Sequence, residues 1–161
     1  MVAVIGGFLF LSLSMLFLRV GFTRWYNKNV LAAGALAEDI IELVREKSVE
    51  EFDDFINFIN QRTGGKDVLE MCLCSEDFVN EFGPLPAVID ELPEARSLSY
   101  VRFDVVRGFS GVEKVLVKVI VRWKETGRWT EKMAEAQGYA QEREYVLATT
   151  IAKSGLRVLL R

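Results

Sequence analysis

The most reactive side chains in the chain are two thiols, Cys72 and Cys74, with Leu73 between them. In an extended segment, residues two apart share a face. A disulfide at that separation is a strained closure, and two thiolates alone rarely hold a metal. The pair is therefore expected to be small buried apolar residues, its redox state open. A second cluster, Glu50, Glu51, Asp53 and Asp54, gathers carboxylates on one helical segment. Paired carboxylates can do acid–base work. These lack the Asp-x-Asp-x-Asp-Gly layout of a calcium loop, and nothing beside them marks a pocket, so a solvated face is expected. The chain has no His, which excludes His-based triads, His-ligated zinc and a His switch near neutral pH. No Gly-rich phosphate loop or Ser nucleophile motif occurs. No enzyme, cofactor, metal site or small-molecule substrate is expected.

The third candidate is electrostatic. Arg102, Lys118, Arg122, Lys124, Arg128 and Lys132 stand near Tyr100, Trp123 and Trp129. Cations interleaved with aromatics can touch an acidic partner or DNA. The plain alternative is a solvated sheet face. Charge along the chain is segregated: +3 over residues 1–29, −11 over 30–96 and +5 over 97–161, for a net charge of −3. Such zoning favours head-to-tail pairing between copies or related subunits, against the simpler reading of three solvated faces. A pI near 5.2 argues against generic nucleic-acid binding.

These side chains need elements to carry them. Met1 to Leu18 holds no charge, and eighteen helical residues span about 27 Å, close to a bilayer core. Phe22, Trp25 and Tyr26 follow as an aromatic belt would, and Arg19 and Arg24 can reach the headgroups. An uncleaved membrane anchor is expected over a signal peptide, because no basic residue precedes the apolar run and no small-x-small site follows it. The basic flank after the run would by itself place the rest of the chain in the cytoplasm. From Leu31 the apolar positions Leu31, Ala35, Leu36, Ile40, Leu43 and Val44 read as one helical stripe. Ala32, Ala33, Gly34, Ala35 and Ala37 thin one side for a close neighbour. A single helix from about Val2 to Lys47 is expected, with Gly6, Gly7 and Gly21 as weak points.

Ser48-Val49-Glu50-Glu51 fits a capping box for a second helix ending at Gly64-Gly65. Ser75-Glu76-Asp77 fits another N-cap. The period then changes from 3.6 to 2. Residues 99–106, 115–124 and 145–152 alternate as strands, the first two joined by a hairpin at Gly108–Gly111. The expected fold is α+β: a long N-terminal helix, transmembrane then amphipathic, packed on a small C-terminal antiparallel sheet of about three or four strands. The expected division is residues 1–29 for the membrane helix and flank, 30–62 for a helical stem and 63–161 for the head.

That order resembles the type IV pilin-like proteins, in particular minor pilins and the pseudopilins of type II secretion. Met1-Val2-Ala3-Val4-Ile5 is similar to the apolar run just after the family's Gly-Phe-Thr-Leu-Ile-Glu-Val start. The stretch from Ala35 to Arg45 is similar to the segment that ends the long helix. Val117 to Trp123 and Tyr145 to Ile151 resemble paired sheet strands of minor pilins. The resemblance implies a basic leader, a cleavage motif and a glutamate upstream of Met1. Gly21-Phe22-Thr23 is not that motif, since it follows the apolar run.

What the resemblance implies is a structural subunit on the bacterial inner membrane, single-pass, with its head facing the periplasm or outside. Its partners would be other pilin-like subunits and membrane lipid. Ile5, Phe8, Phe10, Leu11, Met15 and Phe17 would form the membrane and filament-core surface, with Arg19, Arg24, Trp25 and Tyr26 at the interface. Arg102, Lys118, Arg122 and Lys124 would offer a partner surface. Two alternatives stand beside it: a single-pass protein with a cytoplasmic binding domain, and a DNA-uptake tip pilin that binds DNA with its basic sheet.

Overall fold

The computed structural model describes residues 28–48, 52–108, 111–125, 141–152 and 159–160. Helix α1 covers residues 28–48. Its buried positions are Ala33, Leu36, Ala37, Ile40, Ile41 and Val44, a stripe set by the 3.6-residue period. Glu38, Asp39, Glu42 and Glu46 lie exposed on the other side. Leu31, 73% exposed, and Ala35 fall with those acids rather than in the stripe. Residues 31, 35, 38 and 42 share one side of the helix, at least a quarter of a turn from Ala33, Ala37 and Val44. Leu43 is only partly buried.

This corrects the expected fold class. Among the described residues no helix is long and apolar enough to cross a membrane. The reason in α1 is physical: a helix with four carboxylates on its solvent side is amphipathic and suits a water-facing core, not hydrocarbon. Residues 1–27, where the apolar part of the expected helix falls, lie outside the described residues.

Helix α2, Phe52–Thr63, buries Phe55, Ile56 and Ile59. It ends where Gly64 and Gly65 adopt φ 61° and 86°, and the Gly65 N–H donates to the Asn60 carbonyl at 3.2 Å. A Cβ would strain both positions. Strand β1, Val68–Cys72, follows. Helix α3, Glu76–Phe82, starts as its sequence asked: Ser75 Oγ accepts from the Phe78 N–H at 3.2 Å, and Glu76 and Asp77 occupy the first turn. A 3-10 turn at Ala87–Glu91 and the short α4, Ala95–Leu98, lead into β2, Tyr100–Gly108. Then come β3, Gly111–Glu125, β4, Gln141–Ala152, and the two-residue β5, Leu159–Leu160. Ser48, expected to cap the second helix, is instead the last residue of α1, where its hydroxyl donates to the Arg45 carbonyl at 3.1 Å. Residues 49–51 lie outside the described set.

The strands form one antiparallel sheet in the order β1-β2-β3-β4-β5. Alternation decides its two faces. Val101, Phe103 and Val105 of β2 stand opposite Val119, Val117 and Val115 of β3. Those in turn stand opposite Leu147, Thr149 and Ile151 of β4. With Val121 and Trp123 they make the covered face, packed with the stripes of α1 and α2 in one hydrophobic core. Gly34 of α1 rests over Tyr145 of β4: a Cβ built there would lie 3.5 Å from the ring. Phe55, Phe78, Phe82 and Phe103 join α2, α3 and β2, with Phe55–Phe103 edge-to-face at 5.8 Å. Ion pairs tie both ends of α1 down, Lys28 to Glu91 and Lys47 to Glu81.

Candidate functional site

The other face of the sheet is open, and the expected cations lie on it. Arg102 stands opposite Lys118, and both share a side with Tyr100, Arg122 and Lys124. Alternation puts the four cations on one side, and the β2–β3 register sets Arg102 beside the cations of β3. The structure adds what the isolated strands did not display, an acid beside each one. Asp104 accepts from Arg102 Nε at 2.8 Å and from Lys118 Nζ at 2.9 Å. Glu70, on β1, accepts from Arg102 at 3.1 Å. Glu144, on β4, accepts from Arg122 Nε at 2.7 Å. Glu94 pairs with Lys124 at 2.7 Å. The face is a charge-paired lattice, not a bare basic surface. Arg122 also lies 5.3 Å from the centre of the Tyr100 ring, a cation–π contact.

These neighbours set the proton affinities. Burial pushes the Asp104 carboxyl up, but the hydrogen bonds and charges of Lys118 and Arg102 outweigh it and hold its pKa below the usual value. The bond to Asp104 raises Arg102, the bond to Glu144 raises Arg122, and the bond to Glu94 raises Lys124. All three stay charged throughout the physiological range. For these four groups the pairing favours the charged forms, Asp104 downward and Arg102, Arg122 and Lys124 upward.

Between the ionic rows runs an apolar one. Cys72, Tyr100, Ile120 and Val146 face each other across β1 to β4. Ile120 is buried at 6% exposure although it lies on the open side, while Val146 is 49% exposed. Ala148, Thr150 and Ala152 continue the low-relief surface along β4. At the β1 end of that row, Cys72 and Cys74 are joined as a disulfide. The expectation of two buried thiols is corrected: Cys74 is exposed and Cys72 only partly covered, while Leu73 between them is fully buried. β1 ends at Cys72, and the turn that follows, closed by the Ser75 N–H on the Cys72 carbonyl at 3.1 Å, faces Leu73 into the core and leaves the two sulfurs outside it.

A second polar feature lies within the core. Trp123 Nε1 and Asn29 Nδ2 are buried donors with no acceptor among the described residues. Their neighbours in sequence touch the 91–94 turn, Lys28 by its pair with Glu91 and Lys124 by its N–H to the Pro93 carbonyl at 3.1 Å.

Of the acidic cluster, Asp53 and Asp54 are exposed in the first turn of α2, where carboxylates favour the helix dipole. Glu50 and Glu51 lie outside the described residues, as do Arg128, Trp129 and Lys132. Among the described residues no group of three His, Cys, Asp or Glu side chains is placed to hold a metal ion. The N-terminal set, Ile5, Phe8, Phe10, Leu11, Met15 and Phe17 with Arg19, Arg24, Trp25 and Tyr26, also lies outside them. Sequence reading missed Glu70, Glu94 and Glu144 as partners of the cations. Extending the β4 alternation back from Val146 finds Glu144 and Glu142, but Glu70 becomes visible only when Val68–Cys72 is recognised as a strand. No family model matches the chain, and no curated protein and no solved structure matches it.

Proposed function

We propose that this chain is a structural subunit of a type IV pilin-like filament, a minor pilin or a type II secretion pseudopilin. The observation that carries the reading is the order of parts. An uncharged apolar run, Met1–Leu18, precedes an amphipathic helix whose apolar stripe lies on an antiparallel meander. An apolar segment passes between lipid and a bundle of like segments at little cost, since both surroundings are apolar. That is the physical requirement for a subunit stored in a membrane and then assembled. Leu31 and Ala35, exposed on α1 beside its acids, extend the contact surface toward neighbouring subunits.

The Cys72–Cys74 disulfide supports a head on the oxidising side of the inner membrane rather than in the cytoplasm. The pairing of Arg102, Lys118, Arg122 and Lys124 with carboxylates weakens the DNA-binding alternative, because phosphate contacts need cations free to release counterions. Partners are therefore other subunits of the same class and membrane lipid.

The test is assembly in a host that makes such filaments. The full chain is expected in the sheared extracellular fraction, and the variant Phe8→Arg with Leu11→Arg is expected to be missing from it. Protease added to spheroplasts should digest the wild-type head. A head protected from that protease, in a chain never found in the sheared fraction, refutes the reading.

A further inference from the structure

We propose that Cys72 and Cys74 form a dithiol–disulfide exchange site, taking two electrons from an external dithiol. The pair holds the chain's only two cysteines. Its geometry differs from that of a structural staple in three ways. First, the bond encloses a single residue, so it removes little freedom from the unfolded chain. Second, the turn is held without it. Leu73 is fully buried, its N–H donates to the Ser99 carbonyl at 3.0 Å, and the Ser75 N–H donates to the Cys72 carbonyl at 3.1 Å. With the sulfurs reduced, those contacts keep the two Cα atoms near their present 5.1 Å separation. Third, the sulfurs are unequal. Cys74 is exposed and Cys72 partly covered, and the Cys74 N–H points at Cys72 Sγ at 3.1 Å.

That inequality assigns the roles. A thiolate of the incoming dithiol attacks Cys74 Sγ. The Cys72–Cys74 bond breaks as the mixed disulfide forms, and Cys72 leaves with the electron pair as a thiolate that accepts the Cys74 N–H bond. The reagent's second thiolate then attacks the reagent sulfur of the mixed disulfide. It closes the reagent's own disulfide and expels Cys74. Two protons complete the pair of thiols, so the cysteines are reduced and the dithiol oxidised. The Cys72 thiol then has the Arg96 and Ser97 carbonyl oxygens at 3.9 Å each as acceptors.

The experiment uses the oxidised full chain in detergent, without denaturant, mixed with dithiothreitol and then alkylated for intact mass. Two thiols are expected to be labelled under native conditions. The melting temperature is expected to fall by no more than about 6 °C on reduction. In Cys72→Ser the remaining Cys74 should form a mixed disulfide with oxidised glutathione at least about tenfold faster than Cys72 does in Cys74→Ser, following exposure. A bond that opens only after denaturant is added overturns the proposal. So does a faster reaction at Cys72 than at Cys74. Filament assembly is not a readout, so failure of the subunit reading leaves this result standing, and the reverse holds too.

Discussion

Ser99→Ala tests whether the junction between β2, β3 and α4 is held by one hydroxyl. Ser99 is fully buried. Its Oγ accepts from the Arg122 N–H at 3.0 Å and donates to the Arg122 carbonyl at 3.3 Å. The pairing of β2 with β3 has its last partners at Tyr100 and Ile120, so the hydroxyl continues the ladder one step past its end. Alanine keeps the backbone bonds of residue 99, to Ala95 and Leu73, and removes only this one. An orphaned buried N–H costs about 1–3 kcal/mol, and the longer second bond adds less. Alanine recovers part of that, because no hydroxyl is then desolvated. The expected net loss is about 2 kcal/mol, which is roughly 4–8 °C in melting temperature. The assay is thermal unfolding followed by near-ultraviolet circular dichroism. The control is Ser97→Ala, whose exposed hydroxyl reaches only the Glu94 carbonyl, and about 0.5 kcal/mol or less is expected there. Equal melting temperatures for the two variants refute the reasoning.

Asp104 gives a pH test. Its folded pKa lies below the unfolded value, so its contribution is present above the unfolded pKa and is lost as pH falls through the folded one. Asp104→Asn should destabilise by about 1 kcal/mol near pH 6 and by almost nothing near pH 2, read from urea midpoints. Equal losses at both pH values would show that the carboxylate's charge is not what matters. Gly34 gives a test of sign. Alanine there meets the Tyr145 ring at an ordinary 3.5 Å and gains helix propensity, so Gly34→Ala should be neutral or stabilising by up to about 1 kcal/mol. Gly34→Leu should cost about 1–3 kcal/mol through overpacking. Denaturant midpoints decide, and a loss in the alanine variant contradicts the described packing of α1 on β4.

Much of the head was legible along the chain. Valines at 115, 117, 119 and 121 alternate so strictly that only a strand with one buried face fits them. Ser75 before two acids marked the start of α3, because an N-cap is a local chemical demand. The α1 stripe was half legible. Leu36, Ile40 and Val44 are buried, but Leu31 and Ala35 are not, since alanines carry too little apolar surface to mark which side faces inward. Strand β1 was missed: five residues containing one acid and one cysteine give a weak alternating signal.

The sequence by itself determined which chemistries are closed to this protein, since a chain without His cannot perform them whatever its fold. It also determined the strand faces, because alternation is a property of consecutive residues. Only the tertiary structure decided who stands beside whom. It placed Glu70 and Glu144, from strands at opposite sides of the central pair, against Arg102 and Arg122, and so turned a run of cations into a paired lattice. It also brought the two sulfurs into a bond by burying Leu73 between them. Register between strands distant in sequence depends on the packing of the whole core, and a local pattern does not carry that information.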